Sequence, residues 1–223
     1  MNSLTTDPQL RVILDRLHMQ NSSQDAEIAA YYAAGAERPT GYEAEDSPGR
    51  AFWRDKFVAL DQDKAEFVYA LCRAIGAGRI IEAGTSFGVS TLYLAAAVRD
   101  GVGGRVTTCD IEPSKMKVAQ QHFVEAGLAE HIETRVGDIR ETLLEIDGAV
   151  DCLLLDIWAP IAADVVALVG PHIRVGGIIF ADNTTVRRSL YTGLFDYLEN
   201  PANGFTTRTL PFDGGLELAV KTG

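Results

Sequence analysis

The stretch Arg79-Ile-Ile-Glu-Ala-Gly84-Thr-Ser-Phe-Gly88-Val-Ser90 decides the fold. A short apolar run, Ile80 and Ile81, ends in an acid, Glu82, and then meets Gly84 and Gly88 around a polar pair. An amphipathic helical pattern follows from Val89 to about Val98. This order spells a strand, a tight turn and a helix N-terminus. Glycine lets a ligand approach the backbone closely, and the free N–H groups of a first helical turn face its anionic end.

Working outward, apolar runs alternate with helical patterns. Strands are expected at 79–83, 104–110, 131–136, 151–155 and 175–181, with helices at 88–99, 113–126, 138–147 and 161–170. Cys152-Leu-Leu-Leu155 and Gly177-Ile-Ile-Phe-Ala181 are continuously apolar, as suits parallel strands covered on both faces. A helix at 186–199 leads to strands near 204–210 and 214–221, and Asp213-Gly214-Gly215 marks an antiparallel turn between them. The expected fold is α/β: a doubly wound, mostly parallel seven-stranded sheet with an antiparallel last strand. Its ligands bind beyond the carboxyl ends of the strands.

Before this domain, 51–223, lies an N-terminal helical extension, 1–50. It holds an apolar helical stripe, Leu10, Ile13, Leu14 and Leu17, and a second helix at 24–35. From Ala36 to Gly49, prolines, glycines and acids mark a flexible acidic loop, a linker or a flap over a pocket. Helices at about 50–59 and 62–76 complete the approach to the first strand.

Composition narrows the functional classes. A net charge of -11 over 223 residues opposes nonspecific attraction to nucleic acid. No apolar run approaches the roughly 20 residues that cross a bilayer, so no membrane partner is expected. Met1-Asn-Ser-Leu-Thr-Thr-Asp-Pro8 lacks the basic start and apolar segment of a secretory leader. Cys72, Cys109 and Cys152 sit apart in apolar patterns, which reads as reduced thiols in a cytoplasmic protein. The histidines show no zinc spacing.

Two constellations carry chemistry. Asp110 ends the second strand run, where an acid accepts hydrogen bonds from the hydroxyls of a ribose. The spacing Gly84-x-x-x-Gly88 does not fit the G-x-G-x-x-G turn of nicotinamide enzymes. Asp156 follows Leu153-Leu-Leu155, and Asp182-Asn183 follow Ile178-Ile-Phe-Ala181, at what should be neighbouring strand ends. Two carboxylates and an amide oxygen suit Mg²⁺; acids at strand ends also cap the following turn.

Glu-x-Gly-x-x-x-Gly with an acid at the next strand end resembles the cofactor turn of class I S-adenosylmethionine-dependent methyltransferases, whose fold is Rossmann-like. Leu155-Asp156-Ile-Trp158, Ala181-Asp182-Asn183 and Asp213-Gly-Gly-Leu-Glu217 resemble the metal-dependent O-methyltransferases that include catechol and caffeoyl-CoA O-methyltransferases. The resemblance covers roughly 55–223. It implies that Glu82 and Gly84 line the cofactor turn, Ser90 binds the methionine carboxylate, Asp110 holds the ribose and Ile111 lies on the adenine. It also implies Asp138 near the adenine edge, Trp158 beside the sulfonium or adenine, and Mg²⁺ on Asp156, Asp182 and Asn183. Asp156 and Glu217 would serve catalysis, Glu217 facing the acceptor, and Lys64 matches a lysine ahead of the cofactor strand.

One departure bears on mechanism: Ala159, followed by Pro160, stands where catechol O-methyltransferases carry a lysine base. Val89 likewise replaces a tyrosine. The expectation is a cytoplasmic, S-adenosylmethionine- and Mg²⁺-dependent O-methyltransferase acting on a small hydroxylated acceptor. Rival readings are a metal-free methyltransferase and a cofactor-binding protein without turnover. The acceptor and the assembly, a homodimer among the options, stay open.

Overall fold

The structure is a computed structural model and describes residues 7–36, 47–186 and 188–223. Its strands are β1 (Arg79–Ala83), β2 (Arg105–Asp110), β3 (Ile132–Val136), β4 (Val150–Leu155), β5 (Ile173–Asp182), β6 (Phe205–Leu210) and β7 (Leu216–Lys221). They form one seven-stranded sheet in the order β3-β2-β1-β4-β5-β7-β6. β1 to β5 run parallel, and β7 is antiparallel to both β5 and β6. The strand order reverses between β1 and β4, which opens a crevice at their carboxyl ends.

The helices in chain order are α1 (Pro8–Ser22), α2 (Asp25–Ala33), α3 (Pro48–Trp53), α4 (Gln62–Ala74), α5 (Val89–Asp100), α6 (Pro113–Glu125), α7 (Ile139–Thr142), α8 (Ala162–Val169) and α9 (Thr192–Glu199). They cover both faces of the sheet. Along β4, Cys152 and Leu154 enter one core with Leu14 of α1, Val68 of α4, Leu92 of α5 and Phe123 of α6. Leu153 and Leu155 enter the other with Val165 of α8 and Leu194 of α9. Successive side chains point to opposite faces, so a strand buried on both sides must be apolar throughout. Cys72, Cys109 and Cys152 are free thiols inside these cores.

α1 belongs to the core rather than hanging from it. Leu10, Ile13, Leu14 and Leu17 are all buried in the first cluster. Asp7 caps the helix by accepting from Gln9 N and Leu10 N, and it pairs with Arg99 of α5 at 2.7 Å. Residues 37–46 of the expected loop lie outside the described residues.

Three helices are shorter than the apolar periodicity suggests. The expected 138–147 helix is a single turn, α7, because Arg135 Nη1 takes the carbonyls of Thr142 (2.7 Å) and Glu145 (3.3 Å). The expected 50–59 helix stops at Trp53. Downstream, Phe57 N donates to Gln24 Oε1 (2.8 Å) and Ala59 N to Asn21 Oδ1 (3.2 Å), so these amides serve the α1–α2 corner instead of a helix. The expected 186–199 helix begins regular α geometry only at Thr192.

Candidate active site

A cavity of about 410 Å³ opens where β1, β2 and β4 end, with the turn after β1 as its floor. Gly84 has φ +100, and a Cβ there would stand 2.0 Å from the Asp156 carbonyl oxygen. Gly88 has φ +85, and a Cβ would stand 2.4 Å from the Phe123 ring. The two glycines therefore make room for the protein's own strand end and helix, packing the turn tightly against its neighbours. Asp156 N donates to Ala83 O at 2.9 Å, which locks the ends of β1 and β4 together.

At one end of the cavity, Asp110 is held rigidly. Its carboxylate accepts from Ser86 N at 2.7 Å and Glu112 N at 2.8 Å. Burial pushes its pKa up against those two amides and the nearby Lys115 ammonium. A carboxylate fixed this way keeps lone pairs for the hydroxyls of a ribose. Ile111 lines the cavity beside it. So does Asp138, which caps α7 through Arg140 N (2.9 Å) and forks with the Arg140 guanidinium (2.5 Å). Ser86 and Asn183 are the non-glycine residues with positive φ among those described, at 46 and 57, and both line the cavity. Strained backbone of this kind persists where the surroundings impose it.

Glu82 and Ser90 do not line the cavity. Glu82 is fully buried beneath the turn, where it accepts hydrogen bonds from Thr91 and, at 2.6 Å, from Thr108. Thr108 in turn meets Thr85 at 2.5 Å. Burial pushes the Glu82 carboxyl up to about 7, although the hydroxyls of Ser90, Thr108 and Thr91 act to lower it. The hydroxyl network braces the turn from below.

At the other end, Asp156, Trp158 and Asn183 line the cavity. Asp182 is buried against them. The ammonium of Lys64, fully buried on α4, joins Asp182 Oδ1 at 2.7 Å and Asp61 Oδ2 at 2.9 Å. Burial opposes that charge, but Asp182 and Asp61 outweigh it and hold the Lys64 pKa above its ordinary value. Asp182 Oδ2 accepts from the Asn183 amide at 2.7 Å. Burial beside Asp182 pushes the Asp156 carboxyl well above the usual carboxylate range.

Two carboxylates and an amide on neighbouring strand ends are of the types a hard divalent cation takes, but Asp182 does not line the cavity and its two oxygens are held by Lys64 and the Asn183 amide. Asp156 already faces the cavity, and turning over the Asn183 amide would exchange its N–H for its oxygen. Among the described residues no group of three or more His, Cys, Asp or Glu is placed to hold a metal. Glu217 is not brought to the cavity: its oxygens accept from Thr207 and, at 2.5 Å, from Thr209 across the β6–β7 pair.

Several lining residues escaped the sequence reading. Trp53 of α3 meets Trp158 edge-on at 5.4 Å between ring centroids, beside Tyr31, Tyr32 and Phe52. Its buried indole N–H has no hydrogen-bond partner among the described residues. Arg50 and Arg54 clamp Glu112 at 2.5 and 3.4 Å, tying α3 to the Asp110 end. The available signal was weak: aromatics and arginines beside the Pro48 helix start.

The chain as a whole is similar to known proteins. Residues 81–184 match a family model described as a methyltransferase domain. A catechol O-methyltransferase of Mycobacterium tuberculosis is 33% identical over 150 residues, covering 60% of this chain and 67% of that protein. Other mycobacterial O-methyltransferases match at 31% to 36% identity, and the chain spans about half of their length. The O-methyltransferase TomG from Streptomyces achromogenes, solved with S-adenosylmethionine, superposes with a TM-score of 0.69 at 22% identity, over 92% of this chain and 99% of that one. An O-methyltransferase from Bacillus cereus, solved with S-adenosylhomocysteine, superposes with a TM-score of 0.69 at 20% identity, over 98% and 93%. Fold and site together define a class I methyltransferase, and the chain belongs to the S-adenosylmethionine-dependent O-methyltransferase family. No helix among the described residues is long and apolar enough to cross a membrane.

Proposed function

We propose that this enzyme transfers the methyl group of S-adenosylmethionine to a hydroxyl of a small acceptor with vicinal hydroxyls, in a reaction assisted by Mg²⁺. The observation that carries this reading is the cavity itself, with the anchored Asp110 at one end and Asp156 beside Asn183 at the other.

In this reading Asp110 and Ile111 hold the nucleoside, and S-adenosylmethionine supplies an electrophilic sulfonium methyl. Asp156, Asp182 and Asn183 would hold the cation, which supplies charge that favours an ionised hydroxyl. Lys64 keeps Asp182 in place and partly neutralises the acid pair. Trp53 and Trp158 form an apolar wall that excludes water and orients a planar ring. The protein then contributes proximity and orientation for in-line displacement, with Ala159 offering no base.

The test is methyl transfer to a catechol panel with and without divalent cation. Asp156→Ala should abolish cation-dependent turnover and leave S-adenosylhomocysteine binding intact. Asp110→Ala should weaken that binding by roughly an order of magnitude, as loss of charge-assisted hydrogen bonds predicts. Full turnover in excess chelator, with Asp156→Ala tolerated, would leave a metal-free methyltransferase as the better account.

A further inference from the structure

Four cationic side chains line the cavity: Arg50, Arg54, Lys115 and Arg140. Glu112 holds Arg50 and Arg54, and Asp138 holds Arg140. Lys115 stands apart. It is 7% exposed, yet among the described residues no acid lies within 4.0 Å of its ammonium and no hydrogen bond reaches it. A buried ammonium with acids nearby but no hydrogen bond or close ion pair has donors to spare, and these suit an anion or oxygen brought by a ligand.

Its position narrows the choice. Lys115 lies in the first turn of α6, five residues after Asp110, and projects over the Phe87 ring at 5.4 Å from the centroid. Phe87 belongs to the turn after β1 and stacks on Phe57 at 4.2 Å. The ammonium therefore sits above the glycine turn rather than at the Asp138 side of the cavity. Ser90, the residue expected to meet the amino-acid end of the cofactor, is buried beside Glu82 and does not line the cavity. That end carries a carboxylate, and among the described residues lining the cavity the other three cations are each paired with an acid.

We infer that Lys115 binds the methionine carboxylate of the cofactor, taking the part expected of Ser90. The inference rests on S-adenosylmethionine being the cofactor. Phe57 and Phe87 shape the apolar side of this subsite, and Asp110 keeps the nucleoside in register with it. The subsite remains sheltered from competing water, which strengthens the ion pair.

The test compares S-adenosylhomocysteine with its decarboxylated analogue, 5′-(3-aminopropyl)thioadenosine, by calorimetry on the full chain. Lys115→Met should weaken S-adenosylhomocysteine roughly 10- to 100-fold and leave the analogue within about twofold. Lys115→Arg should recover part of the loss. The analogue also serves as the control for Asp110, because a change that loss of the nearby Lys115 charge makes to the nucleoside end would weaken both ligands alike. Unchanged S-adenosylhomocysteine affinity, or an equal loss for both ligands, would overturn the assignment. Failure of the wild type to bind either nucleoside would overturn the cofactor reading together with it.

Discussion

Glu82 illustrates how one side chain couples the cofactor turn to stability. It is fully buried under the turn, surrounded by threonine hydroxyls, with its pKa pushed up to about 7. An unfolded glutamate titrates near 4.3. Between those values the folded protein holds a proton that the unfolded chain has released, so this group makes stability fall as pH rises from about 4.3 to 7. Glu82→Gln should remove that dependence. Denaturant titrations from pH 5 to 8 should show the variant gaining on the wild type by up to about 3 kcal/mol. A constant difference across the range would mean that Glu82 titrates normally.

The N-terminal helix matters at the scale of elements. Composition sets 1–50 apart from the sheet domain, yet Leu14 of α1 is 2% exposed within the same core as Leu92 and Phe123. The Asp7–Arg99 pair fastens it to α5. Leu14→Ala should cost roughly 2–5 kcal/mol, the range for a leucine removed from a close-packed core. A loss below about 1 kcal/mol in urea unfolding would show α1 to be an appendage. The α1–α2 corner also fixes Phe57 and Ala59 through Gln24 and Asn21, so this helix pair shapes the cavity wall at a distance from the strand ends.

Across the whole molecule, the cavity joins that N-terminal wall to the carboxyl edge of the sheet. Trp53 and Arg50 come from α3, whereas Asp110 and Asp156 come from the ends of β2 and β4. A ligand seated there contacts both parts. S-adenosylhomocysteine at about 100 times its Kd should stabilise the fold by about 2.7 kcal/mol. For a chain of this size that corresponds to a melting shift of about 5–10 °C, in a single transition. Separate transitions, with only the later one raised, would mean that the helical wall unfolds independently of the site.

Sequence alone determined the strand–turn–helix at Gly84, the alternation that builds the sheet, and the acids at the ends of β2, β4 and β5. These are local signals: apolar runs, glycines and strand-end acids are written in consecutive residues. Tertiary structure decided which of the candidates face the cavity. Glu217 turns toward Thr207 and Thr209 because its partners lie on the adjacent strand, and Ser90 turns toward Glu82 under the turn. Lys64 stands out in the sequence only through the resemblance, yet it reaches Asp182, 118 positions away, and is fully buried. Lys115 and Trp53 became visible only once the cavity closed around them, since burial and the lack of a partner are properties of neighbours distant in the chain.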